Sequence, residues 1–337
     1  MTKLIDSGVV IVTVLYAMTM LVSFLGNSIL IHIVWKVPEA RSLTSFMFVN
    51  MAVADLLVTV SMMPVSVNEI HNDFHWAIPG TFGDVTCRTI QYITKITVMA
   101  SILSLTLIAI DRFYVVKFPL ESTSHTTWYR KSKYISPILW ILSSALMSIM
   151  PVFYFFNVED SLCELSPLGD ATATMRGLFI YLFLVTYLVP LAVISTLYGI
   201  TAHAIWHRRA PTIKLTDIQQ RQDTITKKRA IRTLIVITVA FFLCWLPVQL
   251  MHIFRAVTVF RVPLPIPSIV LYLGIWLAHA NSALNPWLYI FLSSKVKLAF
   301  FQLLGRRARR RKETLKFKPQ NLARPIRLEL IDQISSV

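Results

Sequence analysis

Charged residues are scarce in this chain. Only 15% of its 337 residues are Asp, Glu, Lys or Arg, whereas 55% are apolar, and the mean hydropathy is +0.62. Soluble domains carry about a quarter charged residues. The composition therefore excludes a soluble domain and indicates an integral membrane protein.

The residue patterns of catalysis are also missing. The sequence contains no nucleophile with an adjacent base, no cluster of metal ligands and no Gly-rich phosphate loop with its lysine. It contains no Asn-x-Ser/Thr sequon, so N-glycosylation cannot assign the sides of the membrane. None of the three cysteines lies in residues 305–337, which leaves no palmitoyl acceptor there. We expect that the protein is not an enzyme.

Long apolar runs dominate instead. Because roughly 20 apolar residues cross the hydrocarbon core of a bilayer, they predict seven membrane spans. The spans are expected at about 9–35, 45–69, 88–117, 134–156, 175–206, 229–256 and 268–291. The expected fold is an all-α membrane protein, a seven-transmembrane helix bundle that forms one domain over residues 1–304.

The segment after the last span has a different pattern. Basic and apolar residues alternate over 293–304, which predicts a short amphipathic helix on the inner leaflet. Residues 305–337 have few apolar anchors and are expected to form a basic, mobile cytoplasmic tail. Its basic run at 305–312 should be attracted to anionic membrane lipids.

The distribution of basic residues predicts the orientation. Of the 33 Lys and Arg residues, 27 fall in 36–44, 112–133, 207–232 and 292–337. By the positive-inside rule, the N-terminus is outside and the C-terminus is cytoplasmic. The net charge of +16 is then a consequence of topology, and it does not indicate nucleic-acid binding.

Cysteine positions agree with this orientation. Cys87 and Cys163 fall on the outer side, where an oxidising environment permits a disulfide, whereas Cys244 lies within a span as a free thiol.

Asp55 is an isolated charge in the middle of the second span. An ionisable residue at membrane depth is a functional hypothesis by default. The polar residues at comparable depth are Asn27, Ser101, Asn281, Ser282 and Asn285. This set could hold water or a monovalent cation with oxygen ligands, or it could be a hydrogen-bonded network that only fixes helix packing.

A series of motifs follows one order along the chain. They are Gly26-Asn27, Asn50 to Asp55, Cys87, Asp111-Arg112-Phe113, Trp140, Pro190 with Tyr198, Phe241-x-x-Cys244-Trp245-Leu246-Pro247 and Asn285-Pro286-x-x-Tyr289. The ordered set resembles rhodopsin-family (class A) G-protein-coupled receptors over residues 9–304. Phe113 departs from the tyrosine that is commoner in that family, a mild change because the phenol does not carry the ion pair.

The resemblance implies roles for the polar residues of the inner half. It implies a sodium site in the inactive state formed by Asp55, Ser101, Trp245, Asn281 and Asn285. No other cofactor or metal is expected.

The resemblance also implies an activation switch. Ile102, Pro190 and Phe241 would repack when agonist binds. Arg112 would leave Asp111 and meet a heterotrimeric G protein as span six moves outward. The residues expected to support Arg112 by swinging inward are Tyr198 and Tyr289.

Further expectations concern partners and place. Arrestin and a receptor kinase are possible further partners, and the location is the plasma membrane. Lys227 stands where some relatives place an acid that binds the arginine, so the resting state should rely on Asp111, packing and sodium.

Two substitutions narrow the ligand class. Thr94 stands where amine receptors of the family place an aspartate, and His279 stands where photoreceptors place a lysine. A biogenic amine and retinal are therefore both disfavoured. The expected ligand-binding residues are Glu69, Gln91, Thr94, Lys95, Gln249, His252, Arg255 and His279.

The outer segments are mildly acidic, which favours a basic peptide as ligand. The span pattern resembles the neuropeptide branch, namely neuropeptide FF, neuropeptide Y, orexin and tachykinin-like receptors. A small anionic or lipid ligand bound by Lys95 and Arg255 is the alternative. A transporter or channel is a more remote one.

Overall fold

The computed structural model describes residues 2–72, 75–117, 125–165, 171–206, 217–258 and 267–316. Within these ranges, the side chains of 2–7, 125–133, 171, 206, 217–224, 227 and 306–316 are not described. The inner-loop residues 207–216 and the tail beyond Lys316 lie outside the described residues, as does the side chain of Lys227.

Long helices make up most of the described chain. They are α1 (Thr2–Lys36), α2 (Leu43–His71), α3 (Gly80–Lys117), α4 (His125–Met147), α5 (Met150–Phe153), α6 (Ala171–Phe183), α7 (Val189–Trp206), α8 (Asp217–Thr258), α9 (Ser268–Leu292) and α10 (Ser294–Lys316). Six segments are long and apolar enough to cross a membrane, and α9 passes the same test together with Ser294–Gly305 across a bend of 90°. The predicted seven-helix bundle is confirmed.

Apolar side chains fill the interior of the bundle and also cover its outer surface. Ile102, Leu105 and Phe241 are about 1% exposed, whereas Leu142 and Leu250 are 43% and 57% exposed. An apolar exterior suits a helix surrounded by lipid, where every backbone polar group is already bonded within the helix.

Several helix boundaries differ from the prediction. Span four was expected to continue to residue 156, but α5 ends at Phe153 and the chain becomes extended at Tyr154. The last helix was expected to end at residue 304, yet α10 continues to Lys316, so the start of the predicted tail is helical. Charge alone does not end a helix, because Arg and Lys have high helix propensity.

A short hairpin lies at the end of the bundle that is predicted to face outward, and the sequence did not predict it. Strands β1 (Tyr154–Asn157) and β2 (Leu162–Leu165) are antiparallel, with Phe156 paired to Cys163. Cys163 forms a disulfide with the buried Cys87 of α3, whose Cα atom is 5.6 Å away. This pairing confirms the predicted disulfide and attaches the hairpin to the outer end of the bundle.

Helices α1 and α9 approach closely at Gly26. A Cβ atom built at Gly26 would lie 2.7 Å from Trp287 Nε1 and 2.8 Å from Pro286 Cγ. Both neighbours are rigid rings, so neither can move away cheaply. Nearby, Asn27 Nδ2 donates to the carbonyl of Ser282 at 3.0 Å, which joins the same two helices.

Gly26→Val is therefore expected to destabilise the protein by about 1–3 kcal/mol, the usual range for overpacking. Thermal inactivation of the detergent-purified protein measures this loss. The matched control is Gly199→Ala, because nothing lies within 4 Å of a Cβ at that exposed position. Equal stability of the two variants would contradict the close approach of α1 and α9.

Candidate functional site

Arg112, near the C-terminal end of α3, is restrained by its chain neighbour Asp111 and by Thr44 of α2. Its Nη2 lies 3.0 Å from Asp111 Oδ2 and also donates to the hydroxyl of Thr44. The Thr44 hydroxyl lies 3.5 Å from the same carboxylate oxygen. The three side chains form a partly buried cluster in which the guanidinium is restrained. Sequence reasoning did not identify Thr44, since only folding brings it to Asp111.

Tyr289 of α9 also contacts α2. Its hydroxyl lies 3.0 Å from Ser45 Oγ, and its ring stacks on Phe48 with centroids 3.8 Å apart. Tyr198 is buried on α7, where it lines an apolar crevice with Thr238 of α8. The two tyrosines of the predicted switch therefore have different neighbours in this conformation.

The inner ends of α8 and α9 are tied together. The hydroxyl of Thr233 is bonded to the carbonyl of Leu292 at 3.2 Å, and Thr233 is buried at this contact. An outward movement of α8 would break this hydrogen bond. With Arg112 bound to Asp111, this is the arrangement expected of a resting state.

The residues expected to repack lie in the middle of the core. Ile102, Pro190 and Phe241 are buried, and the ring of Phe241 lies 6.3 Å from that of Trp245. Pro190 has no N–H to donate, and a π-helical turn at Leu184–Leu188 precedes it.

The π turn places Thr186 in the core. Its hydroxyl donates to the carbonyl of Leu182 and accepts a hydrogen bond from Gln249 Nε2 at 3.2 Å. Thr186 is a further residue that sequence reasoning missed. The one sequence feature that could have pointed to Thr186 is Pro190, which lies one helical turn further along the chain and disturbs the helix there.

Asp55 is buried at the centre of the bundle. Asn285 Nδ2 donates to Asp55 Oδ2 at 3.1 Å. A small cavity beside Asp55 is lined in part by Ser101, Trp245 and Asn281, so four of the five predicted sodium-site residues line it and the fifth reaches it through Asp55.

The size and donor set of this cavity fit one small cation. Its volume is about 10 Å³, close to the minimum that holds one water molecule. Asn281 Oδ1 and Asn285 Oδ1 are buried and have no hydrogen-bond partner among the described residues. Carboxylate, amide and hydroxyl oxygens are the ligands that hard cations prefer. Because Phe241 and Trp245 line the same cavity, the site adjoins the predicted switch.

Four of the eight predicted ligand residues lie close together between the Asp55 cavity and the predicted outer end of the bundle, namely Lys95, Gln249, His252 and His279, the last of which also lines that cavity. His252 Nδ1 lies 3.2 Å from Gln249 Oε1, and Lys95 lies close enough to interact electrostatically with both His252 and His279. His279 Nδ1 is 3.0 Å from the hydroxyl of Tyr16, a residue that was not predicted. Helices α1, α3, α8 and α9 each contribute to this group.

Gln91, Thr94 and Arg255 are three further predicted ligand residues. Gln91 and Thr94 are buried, and the Thr94 hydroxyl donates to Ile90 O of its own helix at 2.8 Å. Arg255 lies about one turn outward from His252 and is half-buried.

Glu69 is half-buried and acts electrostatically on Tyr16 and on Tyr154 of the hairpin. Burial, and to a smaller extent the charge of Glu69, raises the pKa of Tyr154 above its ordinary value. An ordinary tyrosine is already protonated at neutral pH, so the higher pKa extends the pH range over which the Tyr154 phenol can donate a hydrogen bond.

The hairpin carries a group of three carboxylates, Glu159 and Asp160 in its turn and Glu164 in β2, and we call this group the acidic turn. The amide of Asn157 donates to Asp160 at 2.9 Å and to Glu164 at 3.0 Å. Within the described ranges, none of the three forms an ion pair with Lys or Arg. Among the described residues, no basic side chain compensates the negative charge of the acidic turn, which lies at the end of the bundle predicted to face outward.

The fold and this arrangement are those of a seven-helix membrane receptor, with a polar cluster toward the predicted outer end, a buried carboxylate at the centre and an arginine held by Asp111 and Thr44 at the opposite end. Residues 26–289 match the family described as 7 transmembrane receptor (rhodopsin family). The chain belongs to that family, which confirms both the resemblance and the prediction that it is not an enzyme.

Curated relatives resemble the chain over most of their length. It is 29% identical to the allatostatin-A receptor of Bombyx mori over 87% of this chain and 79% of that protein. It is 26% identical to the QRFP-like peptide receptor of Branchiostoma floridae over 88% of this chain and 78% of that protein. It is 27% identical to somatostatin receptor type 2 of Mus musculus over 87% of this chain and 77% of that protein.

Proposed function

We propose that the protein is a G-protein-coupled receptor of the plasma membrane that is activated by an extracellular neuropeptide. The observation that carries this proposal is membership of the rhodopsin receptor family together with relatives named as receptors for allatostatin-A, QRFP-like peptide and somatostatin. The proposed orientation has the N-terminus outside and the C-terminus in the cytoplasm. Family membership disfavours a transporter or channel.

The charge of the outer surface supports a peptide with a basic body. Glu159, Asp160 and Glu164 of the acidic turn lie beside the disulfide that joins the hairpin to α3. Clustered charge at an entrance raises the encounter rate of an oppositely charged ligand. The acidic turn would attract the peptide, and the group around Lys95 and His252 would contact the part that enters the bundle.

The signal would pass through three layers. Ligand contact with Gln249 would act on Thr186 and the π turn, which lies directly before Pro190. Repacking of Phe241 would then move α8 outward, because Phe241 belongs to that helix. This movement requires the Thr233 bond to α9 to break, and it opens space for a heterotrimeric G protein at Arg112.

We also propose sodium as an allosteric ligand held by oxygens of Asp55, Ser101, Asn281 and Asn285, with Trp245 beside them. The two unpaired amide oxygens support this assignment. A bound cation would add positive charge next to Phe241 and Trp245 and favour the resting arrangement. Arrestin and a receptor kinase are proposed as further partners on the cytoplasmic side.

The alternative is a small anionic or lipid ligand. One observation favours it: across the described residues, Lys95 has no carboxylate partner and lies near two imidazoles. Such a ligand would place its acidic group at Lys95 and Arg255. A library of amidated neuropeptides tested for calcium and cyclic AMP responses separates the two classes. A response to small acids and to no peptide would overturn the peptide proposal.

Neutralising the acidic turn tests the ligand class by the sign of its effect. In the variant Glu159→Gln, Asp160→Asn, Glu164→Gln, a basic peptide should associate about tenfold more slowly at low salt, with a weaker salt dependence. The amide side chains keep acceptors for Asn157, so the hairpin should be retained. Association is measured by surface plasmon resonance with the natural ligand.

Glu39→Gln, which removes an exposed acid from the cytoplasmic side, is the control and should leave association unchanged. Faster association of the ligand with the neutralised hairpin would indicate an anion, and would contradict the basic-peptide proposal. An anionic ligand should also lose most of its affinity in Lys95→Ala.

A further inference from the structure

A cleft opens on the cytoplasmic side where α8, α9 and α10 meet, and we call it the inner cleft. It has a volume of about 650 Å³, and its walls include Arg229, Arg232, Val236, Lys297, Leu298 and Phe301. The 90° bend between α9 and α10 creates it, because α10 leaves the bundle sideways and leaves a gap beside the inner end of α8. The volume is within the ordinary range for a ligand site.

The polar half of the inner cleft is cationic. Arg229 and Arg232 are three residues apart on α8 and so share a face, and Lys297 contributes a third charge from α10. All three side chains are exposed, and within the part of the chain that is described none has a carboxylate partner. None of the described lining residues is acidic. An anion is therefore the complementary ligand, and arginine forks suit phosphate in particular.

The other half of the inner cleft is apolar and open. Val236, Leu298 and Phe301 are 42%, 61% and 52% exposed. A free anion would leave these surfaces uncovered, whereas a ligand with acyl chains would cover them. The cleft also lies at the side of the membrane that carries most of the basic residues, where the lipids of the inner leaflet include anionic ones.

We propose that the inner cleft binds an anionic phospholipid of the inner leaflet. Its phosphate is held by Arg229, Arg232 and Lys297, and its acyl chains lie along Val236, Leu298 and Phe301. This site is separate from the outer ligand cluster and from the Asp55 cavity. The proposal does not depend on which extracellular ligand activates the receptor.

The basic run at 305–312 attracts the same lipids without a cleft, so the test keeps that run intact. The cleft variant is Arg229→Gln, Arg232→Gln, Lys297→Gln in the full chain. The matched control is Lys36→Gln, Lys117→Gln, Lys295→Gln, which removes three exposed charges from the inner ends of α1 and α3 and from α10 outside the cleft.

Native mass spectrometry of the purified full chain, titrated with dioleoyl phosphatidylserine, measures lipid binding. The cleft variant should bind this lipid roughly tenfold or more weakly, since each nearby basic residue contributes about a fivefold factor. The control should bind within about twofold of the original protein. Equal losses in both variants would show general surface attraction and would overturn the proposal, and so would no loss in either.

A soluble headgroup distinguishes a lipid from a free phosphate compound. Glycerophosphoserine should compete poorly, because it lacks the acyl chains that cover the apolar wall. Phe301→Ala should weaken phosphatidylserine binding and leave glycerophosphoserine binding unchanged. Equal affinity for the headgroup and the lipid would mean that the cleft is a site for soluble phosphates, which overturns the lipid assignment. Melting temperatures of all variants confirm that each one is folded.

Discussion

Arg112→Ala is expected to keep ligand binding and to lower agonist-stimulated nucleotide exchange on the G protein by about 30-fold. Arginines at the centre of an interface commonly contribute 2 kcal/mol or more, which corresponds to that factor. Arg112 and Lys95 lie toward opposite ends of α3, about 25 Å apart along the helix axis, so the change should not disturb the outer cluster. Radioligand binding and exchange of labelled GTP analogue in the same membranes measure the two properties separately.

Two variants that release Arg112 serve as matched controls. Asp111→Asn removes the ion pair, and Thr44→Val removes the second partner of the guanidinium. Both should raise basal exchange, because they destabilise the resting arrangement and leave Arg112 in place. Full agonist-stimulated exchange in a normally expressed Arg112→Ala protein would contradict the proposed switch. A fall in basal exchange in both control variants would contradict the restraint on Arg112.

Asp55→Asn is expected to abolish the effect of sodium on agonist affinity. Allosteric coupling free energies are typically 1–3 kcal/mol, so sodium should lower the affinity of the original protein about fivefold or more. Asparagine is nearly isosteric and can still accept from Asn285 Nδ2, but it removes the negative charge beside the cavity. Agonist competition curves in sodium and in N-methylglucamine at equal ionic strength measure the shift.

Ser104→Ala is the control for this experiment. Its hydroxyl is buried on the same helix as Ser101, but it accepts from Asn50 and does not line the Asp55 cavity. The variant should keep the full sodium effect. If agonist affinity in Asp55→Asn were as sensitive to sodium as in the original protein, the sodium proposal would be wrong. Asp55 would then belong to a hydrogen-bonded network that only fixes helix packing.

The proposed switch at Arg112 combines residues that a sequence motif identifies with residues that only folding brings near. Asp111 and Arg112 are recognised because they are adjacent and lie within a known motif. Their partner Thr44 could not be found in this way, since it is 67 residues from Asp111 and is an ordinary residue near the start of a helix. The same holds for Ser45, which is 244 residues from Tyr289. Such pairs depend on how the helices rotate and pack.

The outer side shows the same limit for secondary structure. The strand at Tyr154–Asn157 follows an apolar run that continues the pattern of span four, so the sequence predicted helix there. Pairing with Leu162–Leu165 and attachment through Cys163 favour the extended form over the helical one. Strand pairing is a contact between separate segments, and local propensity carries little information about it.

The membrane class, the seven spans, the predicted orientation and the family could all be inferred from the sequence, since these depend on properties that are local or additive along the chain. Span length follows from runs of apolar residues, and orientation follows from counts of Lys and Arg. Helix packing brings particular polar side chains together, namely Asp55 with Asn285, His279 with Tyr16, and Thr186 with Gln249. The same packing sets the 90° bend between α9 and α10, which leaves the inner cleft beside α8. Those features depend on the rotation and tilt of packed helices, which a pattern of residues along one helix does not specify.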